Sequence, residues 1–171
     1  MARNKRQQGP DSGALVLDSV DELRDIVFCL KTEGKTVVMT NGAFDLLHVG
    51  HLRCIRDAKS RGDYLVVAVN SDNSIKKYKH AKLPIVPQAE RLEMISSLRW
   101  VDYVILFEQE TCDELIATVQ PDIVAKGSDY DEKSVPERDT ILAYGGQIAI
   151  CGDPKDHASS KLIQRIRRLK L

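Results

Sequence analysis

The spacing of apolar residues changes period repeatedly along this chain, and each change marks a predicted element. Leu23, Ile26, Val27 and Leu30 recur at helical spacing behind Ser19-Val20-Asp21-Glu22, a capping box, and Gly34 follows where a left-handed residue ends a helix. Residues 36–40 then form a short apolar run, the first predicted strand. Leu52, Ile55 and Ala58 set a second helix that runs to about Arg61 and stops at Gly62. Residues 64–69 read YLVVAV, a continuous apolar stretch of the kind found in strands covered on both faces. After the Asn70-Ser71-Asp72 turn, residues 75–87 read as a lysine-rich loop bounded by Pro84 and Pro87. The remaining pattern predicts a helix at 88–98, a strand at 103–107 and a helix that Thr111 and Glu114 can cap. It continues with a short strand at 122–125, a helix at 136–144 closed by Gly145-Gly146, a strand at 147–151 and a helix at 159–168.

Strands alternating with helices predict an α/β fold. The expected form is a Rossmann-like, doubly wound parallel sheet of about five strands, with right-handed crossovers and helices on both faces. Ligands in such sheets sit beyond the carboxyl ends of the strands, near the switch in strand order. Residues 40–51, 70–72 and 126–130 should meet there. Residues 1–13 are polar and basic and lack an apolar stretch of the secretory kind, which predicts a disordered tail ahead of a single domain at 14–171.

Composition narrows the function classes. The 171 residues carry 25 basic and 25 acidic side chains, so the large basic surface of a general nucleic-acid binder is missing. No apolar stretch approaches the roughly 20 residues that span a bilayer. The four cysteines are scattered and form no CxxC pair, which makes the cytosol the expected compartment.

The most informative stretch is Thr40-Asn41-Gly42-Ala43-Phe44-Asp45-Leu46-Leu47-His48-Val49-Gly50-His51. A buried strand feeds a tight turn that opens a helix, with two histidines three apart at its start. Unpaired backbone N–H groups and the helix dipole make such a start attractive to phosphate. Zinc is the weaker reading, because it needs three or four ligands and no cysteine or third histidine stands at ligand spacing. An NAD-dependent oxidoreductase is disfavoured because no GxGxxG turn follows the first strand.

Gly42 to His51 resembles the GxFDxxHxGH signature of the cytidylyltransferase-like nucleotidyltransferases. Leu98-Arg99-Trp100-Val101-Asp102-Tyr103-Val104-Ile105 is similar to that family's RYVDxVI motif, and Ala158-Ser159-Ser160-Lys161-Leu162-Ile163 to its RTEGISTT motif. In the last, the family arginine falls on Asp153 and the first serine on Ala158. Further stretches resemble the adenylyltransferase domain of bacterial ADP-heptose synthases: Ala68 to Asp72, Pro84 to Pro87 before Glu90-Arg91, and Val124-Ala125-Lys126-Gly127-Ser128-Asp129-Tyr130. Ala43 stands where that branch usually has cysteine.

The resemblance implies nucleotidyl transfer from a nucleoside triphosphate, ATP first, to a sugar 1-phosphate, a heptose 1-phosphate first, with release of pyrophosphate. Cytidylyl transfer to glycerol 3-phosphate is the alternative, and a non-catalytic nucleotide-binding regulator the third reading. It further implies that His48 and His51 bind the α- and β-phosphates and that Gly50 lets the triphosphate approach. Lys79 or Lys77 would clamp the triphosphate, and Ser159 and Ser160 would hold its outer phosphates. Arg91 and Arg99 would hold the acceptor phosphate. Lys126, Gly127, Asp129 and Tyr130 would contact base and ribose, with Thr40, Asn41, Gly42, Ala43 and Phe44 lining the nucleotide site. Asp45 is expected to orient the turn as a structural residue, and Phe44 to belong to the core. Mg²⁺ is expected to sit mainly on phosphate oxygens and water. The anticipated partners are the two substrates, with no nucleic acid or membrane, and a second copy of the chain paired through the first helix.

Overall fold

In the computed structural model, residues 13–78, 82–153 and 157–169 are described. The elements run β1 (Leu15–Leu17), α1 (Val20–Thr32), β2 (Val37–Gly42), α2 (Val49–Lys59), β3 (Tyr64–Asn70), α3 (Asp72–Tyr78) and α4 (Gln88–Ser96). They continue with β4 (Tyr103–Phe107), α5 (Asp113–Val119), β5 (Ile123–Gly127), α6 (Arg138–Ala143), β6 (Gln147–Cys151) and α7 (Ser159–Arg168).

The six strands form one parallel sheet in the order β1-β4-β3-β2-β5-β6. Alternation along each strand splits the core into two layers, because successive side chains leave opposite faces. Val37, Met39, Val66 and Ala68 meet Leu23 and Val27 of α1, Leu115 and Ile116 of α5 and Ile141 of α6. Val38, Leu65, Val67 and Val69 meet Ile55 and Ala58 of α2 and Ile95 of α4 on the other face. The apolar runs of β2 and β3 are therefore continuous because both of their faces are covered. The order reverses at β2, which pairs with β3 on one side and β5 on the other, so their carboxyl ends open a crevice.

Several local expectations need correction. The sheet has six strands, since β1 adds at the edge beside β4 with Leu15 opposite Tyr103. Three residues are too few for a period of two to be visible in sequence. The lysine-rich stretch begins as helix rather than loop. In α3 Ile75 is buried, and the Ser71 hydroxyl, accepting from the Ser74 N–H at 3.0 Å, starts the turn. Neither Thr111 nor Glu114 caps α5, whose N-cap is Cys112 with no side-chain bond. By contrast Ser19 caps α1 by accepting from Glu22 N–H, and Gly34 follows the helix with φ 74°. Of the predicted tail, residues 1–12 lie outside the described residues. No helix among those described is long and apolar enough to cross a membrane. On the outer face of α1, Phe28 is 67% exposed.

Candidate active site

β2 delivers Thr40, Asn41 and Gly42 to the crevice, where the chain turns sharply into α2. Two non-glycine residues of that turn, Phe44 and Leu46, have φ of 50° and 48°. Left-handed backbone at such residues costs about 1 kcal/mol or more each, so surrounding contacts must hold it. The Phe44 ring is buried in the core layer shared with Ile55. The Asp45 carboxylate accepts the N–H groups of Ile85 and Val86, both at 2.9 Å. From beneath, the Arg91 guanidinium donates to the carbonyl of Ala43 at 2.5 Å. From α7, the Ser159 hydroxyl donates to the carbonyl of Asp45 at 2.7 Å. The turn is thus fixed from three sides.

His48 is the N-cap of α2 and His51 lies in its first turn, a spacing that places both on one face. Their rings stack with centroids 3.9 Å apart and planes 18° from parallel, and the Phe44 ring meets His51 edge-on at 5.5 Å. His51 Nδ1 accepts the His48 N–H at 3.3 Å, which leaves the proton of a neutral ring on Nε2. Burial, and then the charge of His157, hold the His48 pKa below its ordinary value of 6.5. His48 is therefore a neutral hydrogen-bond donor at pH 7 rather than a cation. Gly50 between them leaves little room for a side chain. A Cβ there would lie 3.1 Å from the His48 ring and 3.1 Å from the Cβ of His157.

The lowered pKa carries a testable sign. The unfolded chain protonates this histidine more readily than the folded one, so stability is unaffected above pH 6.5 and falls as pH drops through that value. His48→Gln should remove this component. Melting temperatures of the two proteins should converge in slope between about pH 8 and 7, and the wild type should fall more steeply below about 6.5. Parallel curves throughout would contradict the assignment.

The opposite wall comes from β5. Its register pairs Thr40 with Ala125, which sets Asn41 beside Lys126. Lys126 Nζ donates to Asn41 Oδ1 at 2.6 Å and to Glu137 Oε1 at 2.8 Å, and lies 2.7 Å from Glu137 Oε2. Both charged side chains are buried, at 5% and 3% exposure, and the charge pair is tolerated there because the Lys126 ammonium is met by both Glu137 and Asn41. The Lys126 ammonium also lies 5.9 Å from the centre of the Tyr130 ring.

The cleft between these walls has a volume of about 770 Å³. It is lined by Thr40, Asn41, Gly42, Ala43, Phe44, Asp45, His48, Gly50 and His51. Lys126, Gly127, Asp129 and Tyr130 line the facing side, with Ser159 and Ser160 above. Sequence reading missed Glu137, Cys54 and His157, which also line it, as does Asp153, where the family arginine of the third motif is lost. Glu137 and Cys54 belong to no motif, whereas His157 falls within the RTEGISTT-like register without matching it. Burial pushes the Cys54 and Cys112 thiols up to about 12 and that of Cys151 up to about 11, so all three cysteines facing the cleft stay protonated at neutral pH. Among the described residues, no group of three or more His, Cys, Asp or Glu side chains is placed to hold a metal ion.

Two expected contacts are not assembled in this cleft. Arg91 is 0% exposed, and its guanidinium is committed to the carbonyls of Ala43, Asn70 and Val86 and to Asp72. It supports the turn from within and is not among the residues lining the cleft. Arg99 is exposed, stacks 4.9 Å over the Trp100 ring, and precedes β4 at the amino end of the sheet, away from the cleft. Lys79 lies outside the described residues. Ser159 is the first residue of α7, whose N-cap is Ala158.

Comparison with known proteins agrees with this geometry. A family model described as cytidylyltransferase-like matches residues 39–165. The bifunctional protein HldE of Geotalea uraniireducens is 39% identical over 158 residues, covering 92% of this chain and 32% of that protein. The bifunctional protein HldE of Syntrophotalea carbinolica is 40% identical over 146 residues, covering 85% of this chain and 30% of the relative. The chain therefore spans about a third of the length of these relatives. Among solved structures, a lipopolysaccharide core biosynthesis protein from Thermoplasma volcanium superposes with a TM-score of 0.62 at 32% identity, over 71% of this chain and 100% of that one. A pantoate-beta-alanine ligase from Francisella tularensis shares the fold at 14% identity, with a TM-score of 0.58 over 84% of this chain and 69% of its own.

Proposed function

Because the chain belongs to the cytidylyltransferase-like family and is a nucleotidyltransferase, we propose that it moves the adenylyl group of ATP onto a sugar 1-phosphate, a heptose 1-phosphate in the first instance. The observation that carries this reading is the stacked His48–His51 pair at the N-terminus of α2, facing Lys126 to Tyr130 across a cleft at the strand-order switch. The relatives named HldE and the lipopolysaccharide core biosynthesis protein support a sugar acceptor.

In the proposed reaction an acceptor phosphate oxygen attacks the α-phosphorus. The bond to the β-phosphate bridging oxygen breaks, and pyrophosphate leaves with the electron pair. The acceptor is already anionic, so the site needs no general base. It must align two polyanions and absorb charge as they crowd together. The ring N–H groups of His48 and His51 and the first amides of α2 supply donors for this purpose, positioned by the stacked geometry. Lys126 and Asn41, locked together by Glu137, offer fixed polar atoms to the base and ribose, with Asp129 an acceptor for ribose hydroxyls. Mg²⁺, when bound with the nucleotide, neutralises phosphate charge. The residues here fit an ion carried by phosphate oxygens and water better than one held by side chains.

The test is a matrix of ATP, CTP, GTP and UTP against heptose 1-phosphates, hexose 1-phosphates and glycerol 3-phosphate, read as pyrophosphate release. ATP with a heptose 1-phosphate should give the highest kcat/KM. CTP with glycerol 3-phosphate as the best pair would overturn the substrate assignment, and no release from any pair would overturn catalysis.

A further inference from the structure

We propose that His157 is an additional phosphate-binding residue of the cleft and contacts the pyrophosphate end of the bound triphosphate. This rests on the nucleotidyl-transfer reading above. Two short stretches hold it in place. After β6, the Gly152 N–H donates to Asp57 Oδ2 at 2.9 Å, Asp153 pairs with Arg53 of α2, and the Ser128 hydroxyl donates to the carbonyl of Asp153 at 2.5 Å. At the start of α7, Ser159 is tied to the carbonyl of Asp45 at 2.7 Å. Between these fastenings His157 lies against the histidine-bearing turn. The Cβ that Gly50 lacks would stand 3.1 Å from the Cβ of His157 and equally close to the His48 ring. The missing side chain at Gly50 thus lets the backbone and Cβ of His157 approach the turn, and the charge of His157 reaches His48.

The position is also distinctive chemically. In the RTEGISTT register, Asp153 replaces the arginine and is committed to Arg53, so that position no longer offers a cation to the outer phosphates. The same register puts isoleucine where this chain has His157, an exposed ring lining the cleft next to Ser159 and Ser160. A donor lost at one position of the motif is thus matched by a donor gained four residues later. When the acceptor oxygen bonds to the α-phosphorus and the bond to the β-phosphate breaks, the electron pair stays on pyrophosphate. A ring N–H of His157 against those oxygens stabilises that charge, and no proton need change hands.

The test is equilibrium binding of ATP, inorganic pyrophosphate and AMP, each with Mg²⁺, to the whole chain and its variants. His157→Ala should weaken ATP and pyrophosphate about tenfold, as expected for one charge-assisted hydrogen bond, while AMP, which lacks the outer phosphates, stays within about twofold. His157→Gln, which keeps a donor, should fall between the two. Unchanged pyrophosphate affinity in His157→Ala would overturn the proposal, and so would an equal loss for AMP, which would mark a structural role. A wild-type protein that bound neither ATP nor pyrophosphate would instead defeat the nucleotidyl-transfer reading, and the inference with it.

Discussion

Replacing either His48 or His51 with alanine is expected to lower turnover by about 10²- to 10³-fold, the scale set by removing one preorganised donor from a developing oxyanion. The loss should fall on kcat more than on KM, because the donors matter most when five oxygens crowd the α-phosphorus. It should also be strongly non-additive. The two rings stack at 3.9 Å, so deleting either removes the ring that the other packs against. The double variant should therefore be little worse than the weaker single one. Melting temperatures should move little, since the turn is held mainly by Asp45, Arg91 and Ser159. The measurement is steady-state kinetics with the best substrate pair, alongside thermal melts. A single variant within about threefold of wild-type kcat would remove the imidazoles from the mechanism.

The parts of this molecule legible from sequence are those where one local rule decides the outcome. The bounds of β4, β6 and α7 could be read directly because their apolar runs and flanking turn residues agree. Ser19 and Gly34 announce both ends of α1 through chemistry confined to a few residues. β1 and α3 escaped because their burial is decided elsewhere. Leu15 to Leu17 become a strand only when β4 offers an edge, and Asp72 to Tyr78 become a helix around the buried Ser74 and Ile75.

The same division runs through the site. The turn and its histidines are contiguous, so a short signature captures them. The wall facing them is assembled from distant segments: Lys126 at the end of β5 meets Asn41 from β2 and Glu137 ahead of α6. Nothing local to Glu137 reports that it will be buried against a lysine eleven positions away. The match with the relatives covers its sequence without revealing that pairing. Charge in a sequence reads as surface, and only a fold that supplies a partner can turn it into interior.

Arg91 shows how far that reversal can go, and removing it is expected to have the largest effect on stability. Arg91→Met keeps the length of the side chain but strips the donors from the carbonyls of Ala43, Asn70 and Val86 and from the Asp72 carboxylate, with which Arg91 pairs at 2.8 Å. Leaving buried partners of a charged group unpaired costs about 3–5 kcal/mol. The midpoint of urea unfolding should drop by that amount divided by an unchanged slope. Arg91→Lys should recover only a minority of it. An ammonium is a point charge, and the planar fork that reaches several acceptors at once is lost. The fraction that remains folded should also lose kcat, because the Ala43 carbonyl anchors the turn carrying His48. An acceptor-binding arginine would behave in the opposite way, raising KM for the phosphorylated sugar while leaving the unfolding midpoint where it was. A loss of less than about 1 kcal/mol with such a KM effect would return Arg91 to the substrate; a collapse of stability with kcat assigns it to the frame beneath the turn.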